Sequence, residues 1–282
     1  ATGGSGGSGN AGCGGGAGGA AGTSGTAGSV IRVKRNGAIS AAEWGVYPDG
    51  ADGTDMGDRI QEAFDKAPEG STLCFAPGTY KVRRSLTCSR SLNVFARGAI
   101  FDYGDFNLAT PPGATRLGYA LRWGNTNATH EGLTFEGLSL VRDRVDENGD
   151  PGSSVVYDCL YPGFVWQALV SCAVHDCAAL NFQEGHRLQG EVVNADGMVL
   201  TNFFNLRSID CRYGLRLKPI GTTDWVNGNN FIGGRMALAD QRTDKDQARA
   251  VSLEATSGND SEPNGNCFFG VDLENRWGRK IY

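Results

Sequence analysis

Two columns of apolar residues, repeated along the second half of the chain, constrain the fold more than any other feature. Aligning the short apolar segments between residues 178 and 275 gives Leu180, Leu200, Leu217, Met236, Leu253 and Leu273, spaced by 17 to 20 residues. Two positions earlier stand Ala178, Met198, Leu215, Gly234, Val251 and Val271. Nearly every member of both columns is apolar and the residues between are mostly polar, so each segment reads as a half-buried strand. No such strand buries its apolar face alone. Recurrence at this period implies a coil with one strand per turn, whose stacked turns share a continuous core.

A second repeat runs with the first. Asn227-Gly-Asn229-Asn-Phe231-Ile-Gly233 returns as Asn264-Gly-Asn266-Cys-Phe268-Phe-Gly270, 37 residues later, which equals two turns at this period. A looser form falls at Phe135, Gly137 and Leu140. Asn tolerates left-handed backbone at turns, and stacked Asn side chains form hydrogen-bonded ladders. The segments lack the Leu-x-x-Leu-x-Leu-x-x-Asn pattern of leucine-rich repeats and the six-residue echo of left-handed hexapeptide coils. The expected fold class is all-β, a right-handed single-stranded parallel β-helix with irregular loops at 142–153, 240–247 and 257–265.

One helix is expected, over residues 54–67, with Thr54 as cap and Met56, Ile60, Ala63, Phe64 and Ala67 on one face. Short strands follow at Thr72–Phe75, Tyr80–Val82 and Leu92–Ala96, with a Pro77-Gly78 turn between the first two. Residues 1–30 hold 14 of the 43 glycines and no charged or aromatic side chain, too little apolar area to offset their ordering entropy. The chain therefore divides into a glycine-rich attachment or linker segment (1–36), a cap with the first turns (37–103) and a coil body (104–282).

A net charge of −5 argues against a nucleic-acid binder that relies on a basic surface. No apolar run reaches the length of a membrane span, so no membrane insertion is expected, and no signal peptide is evident. The cysteines, including Cys172 and Cys177, read as buried thiols rather than zinc ligands, because no second ligand pair stands at metal spacing. Asp146-Glu-Asn148-Gly-Asp150 alternates oxygen ligands like a calcium loop, but Pro151 and Tyr157 break the EF-hand pattern. No cofactor is expected, with calcium as the one open alternative.

At residues 44–82 the sequence resembles a known superfamily. Trp44-Gly-Val-Tyr-Pro-Asp49-Gly-Ala-Asp52-Gly53-Thr54-Asp55, the helix, and Gly70-Ser-Thr-Leu-Cys-Phe-Ala-Pro77-Gly78-Thr79-Tyr80 are similar to the opening of pectate-lyase-like right-handed β-helices, with Gly98-Ala99-Ile100 resembling the next strand. Gly57 and Ala76 depart from the pattern. Phage tailspikes and tail fibres are the closest look-alikes, and Asn266–Glu274 is similar to their repeats. The resemblance implies a capped β-helix that forms homotrimers and is held on a virion by its N-terminal segment. It does not imply a reaction, because the fold hosts lyases, hydrolases, epimerases and adhesins.

If the columns face inward, the residues between them face outward. Arg216, Lys218 and Arg235 then lie on earlier turns of one face, and Glu254, Asp272 and Glu274 on later ones. Glu254 and Glu274 are expected to be close neighbours, which raises at least one pKa and offers an acid–base pair for glycoside cleavage. In a lyase, Arg216, Lys218 or Arg235 would instead neutralise a uronate carboxylate. The same charges also suit a solvated face without catalysis. Asp224 and Trp225, between turns, are candidates for sugar contact, with Trp225 stacking on a ring; Trp123 and Trp166 read as structural. Three functions remain open: a virion spike or fibre protein that binds host surface polysaccharide, with or without cutting it, a secreted polysaccharide lyase or hydrolase, and a non-catalytic structural fibre. They correspond to a place on the virion surface or outside the cell.

Overall fold

The computed structural model describes residues 37–48, 54–104, 118–124, 128–143, 161–190, 197–219, 225–238, 248–254 and 263–274. The glycine-rich segment 1–36, the calcium-type loop, Asp224, the 240–247 loop, most of the 257–265 loop and the C-terminal residues 275–282 lie outside them.

The helix spans Gly57–Lys66, and its N-cap is Met56 rather than Thr54. The neighbouring Asp55 carboxylate binds the first turn instead, accepting from the Gly57 amide at 2.9 Å and the Arg83 amide at 3.1 Å. Ile60, Ala63 and Phe64 form the buried face, as their spacing requires, and Phe64 meets Phe75 edge-on at 5.9 Å. This amphipathic helix covers the apolar end of the first strands, Thr72–Cys74, Gly78–Lys81 and Leu86–Cys88. No helix among the described residues is long and apolar enough to cross a membrane.

Apart from a short 3-10 helix at Ala41–Trp44, the rest of the described residues is β, and every strand pair among them is parallel. Three sheets are built by repeated visits of the chain. One circuit runs through Leu169–Val170 in a small sheet, Ala173–His175 and Ala178–Leu180 in a long sheet, and Glu184–Gln189 in a second sheet. The next circuit lays Met198–Val199, Asn202–Phe204, Arg207–Cys211 and Tyr213–Leu217 on those strands in the same order. A third adds Val226–Asn227, Asn230–Ile232, Arg235–Leu238 and Arg249–Leu253.

One circuit thus carries four strands, which corrects the expectation of one strand per turn. The spacing of 17 to 20 residues steps from sheet to sheet, not from turn to turn. Leu217 pairs in register with Leu253 in the second sheet, and Met236 pairs with Leu273 in the long sheet. Leu200 belongs to neither: it sits at a corner with φ 54° and is 60% exposed. The Asn264 motif accordingly lies one circuit after the Asn227 motif, with Asn230 opposite Cys267.

Backbone geometry shows why the circuits stay in register. Residues in left-handed conformation stack at corners: Gly132, Ser171, Leu200, Gly228 and Gly265 at one, Gly137, Asp176, Asn205, Gly233 and Gly270 at a second, and Asn181 and Asp210 at a third. Asp176 and Asn205 tolerate this conformation, and the Asn205 amide donates to the Asp176 carboxylate at 2.7 Å. Beside the first corner, Thr201 and Asn229 are fully buried. The Asn229 side-chain oxygen accepts from the Thr201 amide at 3.1 Å, and its NH₂ donates to the Asn266 side-chain oxygen at 3.0 Å. This is the anticipated asparagine ladder. Inside, Phe203, Phe231 and Phe268 stack with centroids 5.0 and 4.8 Å apart, and Trp123 and Trp166 are buried, as structural roles require.

Candidate functional site

The outer face of the second sheet carries the densest polar arrangement. In Tyr213–Leu217 the alternation buries Leu215 and Leu217 and turns Arg216 outward. Arg216 grips Glu254 on the following circuit through Nε to Oε1 at 2.6 Å and Nη2 to Oε2 at 2.8 Å. Its third nitrogen, Nη1, donates to Oε1 of Glu184 on the preceding circuit at 2.5 Å. Arg187, in register with Arg216, closes a second fork on Glu184 at 2.6 and 2.5 Å. The Tyr213 ring lies 4.8 Å from the Arg216 guanidinium, and the Ser252 hydroxyl donates to Glu254 at 3.3 Å.

Burial governs the electrostatics. The Glu184 side chain is 0% exposed, yet it is no orphan charge. Burial opposes its ionisation, but the Arg187 and Arg216 guanidiniums outweigh this and hold its carboxyl below the usual range. Glu254 behaves alike: burial works against the anion, and Arg216 prevails. Arg216 is in turn pushed further toward its charged form, since the two carboxylates more than offset its desolvation. Lys218 goes the other way. Burial lowers its pKa, and the cations Arg216 and Arg187 lower it further.

The remaining expected residues lie elsewhere. Arg235, Asp272 and Glu274 are on the long sheet, where Arg235 pairs with Glu274 and its Nε lies 3.7 Å from the Asp272 carboxylate. Trp225 precedes the small-sheet strand Val226–Asn227 and is 49% exposed, while its carbonyl accepts from the Met198 amide at 2.6 Å. The single charged face expected from the sequence is therefore divided between two sheets, with Trp225 beside a third. Glu254 and Glu274 are not neighbouring partners on one strand face; each is matched to its own arginine, and Glu254 shifts downward rather than upward. The reason is the same doubling of period: residues read as adjacent turns alternate between two sheets.

Sequence reasoning missed Glu184 and Arg187. The available signal was their three-residue spacing one circuit before Arg216, visible only once the circuit length is known. An acid–base catalyst exchanges a proton near working pH, whereas carboxylates clamped by guanidiniums remain anions there. What this arrangement does supply is a fixed set of donors and acceptors on a rigid sheet, suited to positioning a polar ligand.

No family model matches the chain, and no curated protein matches it. Among solved structures it is similar to Geobacillus virus E2 ORF18, with a TM-score of 0.50 and 16% identity over 83% of this chain. The match spans 41% of that longer protein. A proposed glycosyl hydrolase from Parabacteroides merdae aligns with a TM-score of 0.41 and 10% identity, over 84% of this chain and 98% of that one. The first likeness is one of fold alone, and the second is too distant to carry an argument.

Proposed function

We propose that this chain is a polysaccharide-binding module, wound as a right-handed parallel β-helix, from a virion tail spike or fibre. The observation that carries the reading is the Glu184–Arg187–Arg216–Glu254 network. It fixes polar groups of three successive circuits at intervals of about 4.8 Å along the coil. A linear polymer of polar units laid along the coil meets such groups repeatedly, and their mutual forks remove most of the entropy of ordering them. Tyr213 adds an aromatic surface beside them.

The virion assignment rests on the resemblance at residues 44–82 and extends to this chain the viral source of the protein whose fold it shares. On this reading the glycine-rich segment attaches to other virion proteins and the β-helix forms a homotrimer. The module binds without cutting: Glu184 and Glu254 are both held as anions by arginines, so neither is the protonated acid that glycoside cleavage requires. The experiment is a panel of purified bacterial capsule, O-antigen and pectin-type polymers, tested by calorimetry and then incubated with the protein. Saturable binding without product supports the reading. New reducing ends, or an unsaturated product absorbing in the ultraviolet, would replace it with a hydrolase or a lyase; binding to no polymer would end it.

A further inference from the structure

The polar network is not electrically closed. Two carboxylates, Glu184 and Glu254, stand against three cations, Arg187, Arg216 and Lys218, leaving one positive charge. Both guanidiniums are taken up by the carboxylates. The half-buried Lys218 ammonium feels the two arginines as neighbours and has no hydrogen-bond or ion-pair partner among the described residues. A second unused group stands beside it. Leu188 and Leu217 are paired in register, and Lys218 donates its amide to the Leu188 carbonyl at 2.9 Å, so Gln189 and Lys218 are the next residues on adjacent strands. Both follow an inward leucine, which turns both to the outer face. Gln189 is only 7% exposed, and its side-chain oxygen is buried without a hydrogen-bond partner among the described residues. A buried acceptor left unpaired beside an uncompensated cation is unfavourable unless a ligand completes both.

The geometry points to Lys218 and Gln189 as a subsite for one sugar acid, its carboxylate on the Lys218 ammonium and a ring hydroxyl donated to the Gln189 oxygen. This deepens the polysaccharide reading above and rests on it. The excess charge matches a monoanion, and the two residues stand one strand spacing apart, about 4.8 Å along the backbone, a scale that suits a carboxylate and a hydroxyl carried by the same small ring. A neutral sugar would leave the ammonium uncompensated.

The test is calorimetric titration with oligogalacturonate and oligoglucuronate, their neutral galactose and glucose counterparts, and inorganic phosphate. The comparison covers the wild type, Lys218→Met, Lys218→Arg and Gln189→Leu, with melting temperatures as a folding control. The acidic oligomers should bind about tenfold more tightly than the neutral ones, and added salt should weaken them. Lys218→Met should abolish that preference, Lys218→Arg should keep most of it, and Gln189→Leu should weaken acidic oligomers without restoring neutral ones. Neutral oligomers binding as tightly as acidic ones, or Lys218→Met behaving as wild type, would overturn the subsite while leaving the polysaccharide reading intact. Phosphate displacing the oligomers at equal concentration would reduce the subsite to a general anion site and overturn its sugar specificity. Binding of neither class of oligomer would overturn the subsite and the polysaccharide reading together.

Discussion

His186 should make the coil sensitive to acid. Its imidazole is fully buried and lies nearly parallel to the Phe164 ring, with centroids 5.1 Å apart. The Trp166 indole N–H, which can only donate, donates to Nδ1 at 3.2 Å. The proton of the neutral ring therefore sits on Nε2, which donates to the Arg207 carbonyl at 3.2 Å. A second proton would have to enter at Nδ1, against the indole N–H and without water. Burial accordingly lowers the pKa from 6.5 to about 4, with the Arg207 carbonyl opposing the shift. Because the folded value is the lower one, the unfolded chain takes up its proton first as pH falls. The stability contributed by keeping His186 neutral is complete above about pH 6.5, declines between 6.5 and about 4, and is exhausted below. At 1.36 kcal/mol per pKa unit the full loss is about 3 kcal/mol, of which about 1 kcal/mol has gone by about pH 5.5. Urea denaturation followed by tryptophan fluorescence at about pH 7.5 and about pH 5 measures it, with His186→Phe as the reference. The phenylalanine keeps the stacking but strands the indole N–H and the Arg207 carbonyl, costing about 2 kcal/mol at neutral pH. Its deficit should shrink as pH falls, since it has nothing to protonate. His130, whose pKa burial also lowers, is common to both proteins and cancels in the difference. Parallel stability curves for wild type and His186→Phe would refute the reasoning.

Three further outcomes follow from the same packing. Glu184→Gln, which leaves two partly buried guanidiniums short of an anion, should destabilise by about 3 kcal/mol; Glu254→Gln, at a side chain 32% exposed, should cost about 1 kcal/mol. Equal melting temperatures for the two variants would contradict the buried network. Gly124→Ala should prevent soluble folding, because its Cβ would stand 1.8 Å from the Gln167 carbonyl oxygen at a φ of 125°, and recovery of normally folded protein by circular dichroism would count against that contact. Asn229→Leu should lower stability by about 3 kcal/mol in denaturant titration, since the Thr201 amide and the Met198 carbonyl both lose their buried partner; an unchanged midpoint would mean that the ladder contributes nothing.

Much of the fold was legible in the sequence, and most of what was not has one cause. The helix face Ile60, Ala63 and Phe64, the short strands after it and the Asn229–Asn266 ladder all come from local periodicity, and local periodicity survives folding. Circuit length does not show locally. Strands in two sheets carry the same inward–outward alternation, so Leu217 and Met236 look like successive turns although they face the core from different sheets. That ambiguity displaced the site as well. Arg216 stands out because it lies between two buried leucines, and Glu254 because it follows Leu253 in the same alternation, but their shared register with Glu184 and Arg187 requires the true circuit. The left-handed corners at Asp176 and Asn205 were equally hidden, because neither is glycine.

The central claim is that a polysaccharide lies on the outer face of the second sheet. A crystal structure of the protein with an oligosaccharide taken from the tightest-binding polymer tests it most directly. Sugar density is expected over Tyr213, Lys218 and Glu254, running across the strands of successive circuits. Sugar bound instead to the long sheet around Arg235 and Glu274, with the second sheet bare, would contradict it.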